Sequence, residues 1–247
     1  MTNAGPITNA PLVSVVLPTF NERENIVPLV AQLRDAFRES AVPYEILVVD
    51  DRSPDGTSEV TKAAFREDPQ VIVIDRAPPA GLAVSIRDGI EKSRGDIILV
   101  MDTDFNHKPK DALLLYAAAR IVDLSVGSRF SFGGGMPNQR RYLLSYVYNL
   151  FMRLSLGTRM DDNLSGFFAA KRTALSKLDF DKIFWGYGDY FFRMLLLSQR
   201  ARLTHIQVPI FYGERVAGDS KTRLLPVFAK YTRAVFQLMF WRLAGKW

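Results

Sequence analysis

Asp102-Thr103-Asp104 places two carboxylates one residue apart. Like charges at that spacing repel, and a shared cation removes the cost. Carboxylate oxygens are hard ligands that suit Mg²⁺ or Mn²⁺, ions that are usually shared with a substrate phosphate. Asn106 adds a carbonyl oxygen two residues on, and His107 brings a ring nitrogen nearby. Asn106 could join the two carboxylates as a ligand through its oxygen, and His107 through its nitrogen. Taken alone, the same tripeptide also reads as a solvated turn with two acids. A second acidic pair, Asp50-Asp51, leads into Pro54 and Gly56. Such a pair can accept from a base N–H or from ribose hydroxyls, or it can simply be a turn.

These acids need elements that bring them to one place. Residues 97–101 form a continuous apolar run ahead of Asp102, the pattern of a strand buried on both faces. Residues 13–18, 45–50 and 71–74 read as three more strands. Helical patterns lie between them. One opens at Asn21 as its cap, with Glu22 and Glu24 at its positive end and Ile26, Leu29, Val30 and Leu33 as its apolar stripe. Others span 57–66, 82–93 and 109–120. Strand and helix alternating through short links predict an open, mostly parallel sheet with helices on both faces. Ligands on such sheets bind beyond the carboxyl ends of the strands, where Pro18–Glu22, Asp50–Asp55 and Asp102–Asp104 all fall.

Beyond residue 120 the texture changes. A strand at 121–128 leads to a Gly133-Gly134-Gly135 loop and an aromatic-rich helix at 141–156. A strand at 166–170, a helix at 188–199 and a strand at 203–209 follow. The last helix, 224–247, mixes Lys230, Arg233, Arg242 and Lys246 with Phe, Leu, Met and Trp. Neither late helix offers the roughly 20 uncharged residues of a membrane span. Each could lie in a membrane interface or pack its apolar face into the core. The expected division is a flexible start at 1–11 without a signal-peptide pattern, a catalytic domain at 12–223 and a C-terminal amphipathic helix at 224–247.

The chain has 247 residues, 48% of them hydrophobic, enough for one sizeable core. It has no cysteine, which excludes disulfides, zinc–thiolate sites and thiol catalysis. Its net charge of +6 is unevenly spread. Residues 1–120 carry 13 Lys and Arg against 18 Asp and Glu, and residues 121–247 carry 19 against 8. The basic half could meet nucleic acid, anionic lipid or a phosphorylated substrate. No nucleic-acid motif is present, so lipid and phosphate are the expected partners. There is no G-x-x-x-x-G-K-[ST] and no G-x-G-x-x-G after the first strand, which sets aside a P-loop enzyme and a standard dinucleotide binder.

Six stretches occur in order: Pro18-Thr-Phe-Asn-Glu-Arg-Glu-Asn25, Val48-Val-Asp-Asp-Arg-Ser-Pro-Asp-Gly-Thr57, Met101-Asp-Thr-Asp104, Gly127-Ser-Arg129, Ser165-Gly-Phe167 and Arg215-Val-Ala-Gly-Asp-Ser-Lys221. Together they resemble the inverting family 2 glycosyltransferases of GT-A fold, and among these the dolichyl- and polyprenyl-phosphate mannosyltransferases. The likeness spans about residues 12–225.

The resemblance implies a nucleotide-sugar donor, GDP-mannose, and a polyprenyl or dolichyl monophosphate acceptor. It places Pro18, Phe20 and Glu22 around the nucleoside, with Asp50 and Asp51 at base and ribose. Asp102, Asp104 and Asn106 would hold the metal. Arg129, Arg141, Ser145, Arg215, Ser220 and Lys221 would face the donor diphosphate and the acceptor phosphate, and Asp104, Arg129, Arg215 and Lys221 would carry the catalysis. It implies a peripheral enzyme at the cytoplasmic face of a membrane, alone or with a membrane-embedded partner subunit, because the membrane-spanning tail of some relatives is not seen here. Three departures stand out. Arg52 occupies a position where relatives carry Gly, Asp or Asn. Pro78-Pro79-Ala80 replaces a basic, glycine-containing stretch, and Asn106 replaces a Gln. Asp189 and Arg193 have no assigned role. Two other readings stay open. One is a family 2 enzyme using UDP-glucose or another donor, or a saccharide or lipid acceptor, with Asp189 as base. The other is a non-catalytic subunit that keeps the fold.

Overall fold

The computed structural model describes residues 10–213 and 224–244. Among them, seven strands form one sheet: β1 (Val13–Thr19), β2 (Tyr44–Asp50), β3 (Val71–Asp75), β4 (Ile97–Val100), β5 (Leu124–Ser128), β6 (Phe168–Lys171) and β7 (His205–Pro209). Their order is β3-β2-β1-β4-β6-β5-β7. The first four are mutually parallel. β6 runs antiparallel to both its neighbours, and β5 pairs parallel with β7. The expected open, mostly parallel sheet is present, with one reversed strand inside it.

The apolar runs work as two-faced strands. Val13, Val15 and Leu17 of β1 enter one core and Val16 the other. In β4, Ile97 and Leu99 face the first core while Ile98 and Val100 face the second. This is the period of two that a strand imposes. The first core is covered by α1 (Arg23–Glu39) and α4 (Pro109–Ala119), through Ile26, Leu29, Leu33 and Leu115. The second is covered by α3 (Leu82–Lys92) and α8 (Tyr190–Arg200), through Ile86, Ile90, Phe191 and Met194. Each such side chain contributes about 1.5–3 kcal/mol when fully buried. α3 lies unusually close to the sheet at Gly89, where an added Cβ would come 2.4 Å from Val16 Cγ1. Only glycine lets the helix approach that far.

Helix α2 (Thr57–Ala64) follows β2, and α5 (Gln139–Leu156) follows β5. Two short helices, α6 (Arg172–Leu175) and α7 (Phe180–Ile183), fill the stretch between β6 and α8 and were not expected from periodicity. The last helix, α9 (Leu224–Leu243), buries Ala234, Val235 and Leu238 in a third core with Met152 and Leu156 of α5 and Phe192 and Leu196 of α8. Phe236 and Phe240 on the same helix remain exposed. Among the described residues, no helix is long and apolar enough to cross a membrane.

Two local expectations are corrected. Asn21 is not the cap of α1. It sits at φ 57°, and Glu22 occupies the N-cap position without a side-chain cap bond. The Glu22 N–H is instead taken by Thr57 Oγ1 at 3.0 Å, so a tertiary contact overrides the local capping preference. β5 begins at Leu124 rather than 121, because the Arg120, Ile121 and Val122 amides still bond back into the last turn of α4.

Candidate active site

The register brings the carboxyl ends of the parallel strands to one edge. Thr19 pairs with Asp50 and Asp50 with Asp75, while Val16 pairs with Val100 just before Asp102. Because β6 is reversed, its starting end, with Ser165–Phe168, reaches the same edge, beside the exits of β5 and β7.

The Asp102–His107 stretch folds into a closed turn. Asn106 donates from its backbone N–H to Asp104 Oδ1 (3.1 Å) and from Nδ2 to Asp104 Oδ2 (2.7 Å). With Nδ2 so placed, Asn106 Oδ1 faces away from Asp104 as a further oxygen donor. Phe105 takes φ 61°, which lets the chain double back. Asp104 and Asn106 are buried and Asp102 is partly exposed. His107 is fully buried and stacks on Phe167 with centroids 4.4 Å apart. Its Nδ1 accepts the Asp102 N–H at 3.3 Å, and its Nε2 lies 3.1 Å from the Tyr212 hydroxyl. Burial, with Arg129 nearby, pushes its imidazole down to about 3. Both ring nitrogens have partners within the protein, and the ring stands beside the carboxylate turn.

The second acidic pair is built into the wall of the site. Asp50 accepts from Ser53 N–H (2.8 Å), Ser53 Oγ (2.6 Å) and Thr19 Oγ1 (3.2 Å), all at the end of β2. Asp51 accepts from Arg76 Nη1 at 2.7 Å and from the Gly81 N–H at 2.6 Å. Arg76, which the sequence did not single out, is buried and also reaches Asp88 Oδ2 at 2.7 Å. It ties the 76–81 segment, including Pro78 and Pro79, to the end of β2. Pro18 lies in β1, Phe20 is half exposed on its exit, and Glu22 accepts from Asn25 Nδ2 at 2.8 Å. Arg52 is exposed at φ 61°. A residue with a Cβ enters that region at a cost of about 1–2 kcal/mol, which is why Gly, Asn or Asp suits the position.

Arg129, at the exit of β5, is buried. Its Nε and Nη2 form a bidentate pair with Asp162 at 2.7 and 2.6 Å, and its backbone N–H meets the same carboxylate at 3.1 Å. Its guanidinium lies 4.8 Å from the Tyr212 ring centre. Burial alone would lower its pKa, but Asp162 outweighs that and raises it. Asp162 is a site residue that sequence reasoning passed over. The available signal was its place just ahead of Ser165-Gly166-Phe167, again an acid at a strand end. Arg141 is exposed in the first turn of α5, and Ser145 follows one turn later on the same face. Arg215, Ser220 and Lys221 lie outside the described residues.

Asp189 and Arg193 now have a structural account. Arg193 is fully buried, with Nη1 on Asp189 Oδ2, Nε on the Ile183 carbonyl (3.0 Å) and Nη2 on the Trp185 carbonyl. Asp189 Oδ1 accepts the Tyr187 N–H at 2.7 Å. Both carboxylate oxygens are engaged in pinning the 183–189 segment, which gives Asp189 a structural role. Asp189→Asn is expected to cost about 3 kcal/mol, because Arg193 is left buried without its counter-charge. At a temperature where the variant is folded it should keep its turnover. Urea unfolding and a rate measurement check the two halves, and loss of the rate in a folded variant would restore Asp189 as a base.

Residues 14–179 match the profile of glycosyl transferase family 2. The chain is 36% identical over 245 residues to the undecaprenyl-phosphate mannosyltransferase of Micrococcus luteus, covering 95% of this chain and 96% of that one. It is 33% identical over 234 residues to the dolichol-phosphate mannosyltransferase of Pyrococcus furiosus, covering 93% of this chain and 64% of that longer one. Among solved structures, the glucosyl-3-phosphoglycerate synthase of Mycobacterium tuberculosis, in complex with Mn²⁺, uridine diphosphate and glucosyl-3-phosphoglycerate, superposes with a TM-score of 0.66 at 22% identity. That match covers 95% of this chain and 80% of the other, a likeness of fold.

Proposed function

The chain belongs to glycosyl transferase family 2, and from that premise we propose that it moves mannose from GDP-mannose onto a polyprenyl or dolichyl monophosphate, with inversion at the anomeric carbon. The observation that carries this reading is the full-length likeness to the undecaprenyl-phosphate mannosyltransferase. The commitment of Asp189 to Arg193 supports a phosphate acceptor, because a hydroxyl acceptor needs a carboxylate base and a phosphate does not.

The carboxylate turn fits a divalent cation. Asp102, Asp104 and the Asn106 Oδ1 are hard oxygen donors on one short turn, and the nearby imidazole nitrogens are already used. Among the described residues, no three His, Asp or Glu side chains cluster as a closed cage, so the donor diphosphate would complete the coordination. Bound there, Mg²⁺ or Mn²⁺ supplies charge neutralisation for the departing nucleoside diphosphate. Pro18, Phe20 and Glu22 border the nucleoside. Asp51 lines the wall at base and ribose, and Asp50 braces the turn that presents it. Arg129, held through Nε and Nη2 by Asp162, is the cation this reading assigns to the diphosphate. Charge developing on the leaving group is met by groups already in place, which is the main source of rate in such sites.

On the acceptor side, Arg141, Ser145, Arg215, Ser220 and Lys221 hold the lipid phosphate against the donor. Leu143, Val147, Leu150 and Leu154 form an exposed apolar stripe along α5, and Phe132 is fully exposed on the preceding loop. With Arg140 and Arg141 at the head of that helix, this face suits an anionic bilayer surface. We place the enzyme at the cytoplasmic face of the membrane, where the lipid phosphate can reach it. Residues 12–223 form the catalytic domain in this reading, and α9 (Leu224–Leu243) braces the membrane-facing side.

A thermal-shift screen of nucleotide sugars tests the donor. GDP-mannose with Mn²⁺ at a hundredfold excess over its Kd should stabilise the protein by about 2.7 kcal/mol, or roughly 5–10 °C, and chelator should remove the shift. A shift with UDP-glucose alone would transfer the reading to a uridine donor.

A further inference from the structure

His107 does none of the chemistry assigned above, yet both its ring nitrogens and its ring face are held in the carboxylate turn. It is completely buried, stacked on Phe167 and set edge-on to Tyr212 with centroids 5.0 Å apart. Its two ring nitrogens meet partners of opposite demand. The Asp102 backbone N–H can only donate, so Nδ1 must accept and the ring proton must sit on Nε2. Nε2–H then donates to the Tyr212 hydroxyl, which passes its own proton toward the Ser165 carbonyl at 3.4 Å. The same turn is gripped a second time by the chain after β7. The Gly213 N–H donates to the Asn106 carbonyl at 2.9 Å, and a Cβ at Gly213 would stand 2.8 Å from the Phe105 carbonyl oxygen.

We propose that His107 is a positioning residue: through Nδ1 it fixes the direction in which Asp102 leaves β4, and Tyr212 locks the imidazole in the tautomer that allows this. The Asp102 N–H sits one residue past the last ladder bond of β4, where Met101 N–H meets Val16 O at 3.3 Å. Without an acceptor there, the Asp102 N–H loses its bond, and the relation of the Asp102 carboxylate to Asp104 is no longer held from the His107 side. The inference rests on the metal site proposed above, and groups that orient ligands in this way typically change metal affinity 10–100-fold when removed.

The test uses the geometry of side-chain amides. Asn places its Oδ1 near the position of Nδ1, and Gln places its terminal atoms near Nε2. In the full chain with saturating GDP, Mn²⁺ affinity read by electron paramagnetic resonance should stay within about threefold for His107→Asn and fall 10–100-fold for His107→Gln. Equal losses in the two variants, or none in either, would overturn the proposal. The chain holds only two histidines, so ¹⁵N spectra of the parent report the tautomer directly and do not depend on any variant folding. An unprotonated Nδ1 and a protonated Nε2 are expected at His107. A protonated Nδ1 would overturn the proposal even if both variants bind weakly. Tyr212→Phe keeps the ring packing and removes the hydroxyl, and should populate the second tautomer. A parent that binds no Mn²⁺ would overturn the metal-site reading and the metal-affinity half of this one, and the tautomer would still decide whether His107 anchors Asp102.

Discussion

Asp104→Ala should lower turnover by at least about 10³-fold while the protein stays folded. Two losses combine in that variant. The charge that would hold the cation disappears, and both bonds from Asn106 to the Asp104 carboxylate are broken. Asp104→Asn separates them, because its Oδ1 can still accept the Asn106 N–H while the charge is gone. If charge is what matters, the two variants should be almost equally slow, and Mn²⁺ affinity should fall in both. A normal rate in Asp104→Asn with a slow Asp104→Ala would mean that the carboxylate only braces the turn. A normal rate in both would place the metal elsewhere.

Asp162→Ala should unfold the protein most readily of the single changes at this edge. Arg129 and Asp162 are buried together, and the Asp162 carboxylate takes three bonds from Arg129. Removing the acid leaves a guanidinium buried with only the Tyr212 and Phe130 rings to receive its charge. Breaking a buried pair in this way costs about 3–5 kcal/mol, or roughly 6–20 °C in Tm for a chain of this size. Replacing both members, as Arg129→Met with Asp162→Leu, should recover much of that stability, since no unpaired charge remains. Turnover should not return with it if Arg129 serves the diphosphate. A double variant that is both stable and active would reduce the pair to a structural element.

The parallel half of the sheet was legible because β1 to β4 are apolar runs that lead into polar or acidic residues. The Asp102–Asp104 turn was legible for the same reason, since two acids at a buried strand end are costly without a purpose. The reversal of β6 was not, because residues 166–170 carry no local mark of direction and pair by the topology of the whole sheet. The ion pairs were hidden by sequence distance. Asp51 and Arg76 lie 25 residues apart, and Arg129 and Asp162 lie 33 apart. Arg76 and Asp162 look like ordinary surface charges until the strands bring their partners beside them. Asp189 and Arg193 carried no assigned role in the sequence, although they lie four residues apart on one helix, the spacing at which they pair. The exposed stripe of α5 could have been read from Leu143, Val147, Leu150 and Leu154 alone, yet which face of that helix is exposed depends on α8 and α9 covering the other.

The most direct test of the account is transfer itself. Purified full-length protein is given labelled GDP-mannose, vesicles containing polyprenyl phosphate, and Mg²⁺ or Mn²⁺, and the lipid phase is counted with and without chelator. The account predicts a labelled lipid product that forms with the ion, disappears with chelator and is absent from vesicles lacking the lipid phosphate. No labelled lipid under these conditions, with any common nucleotide sugar, would contradict it.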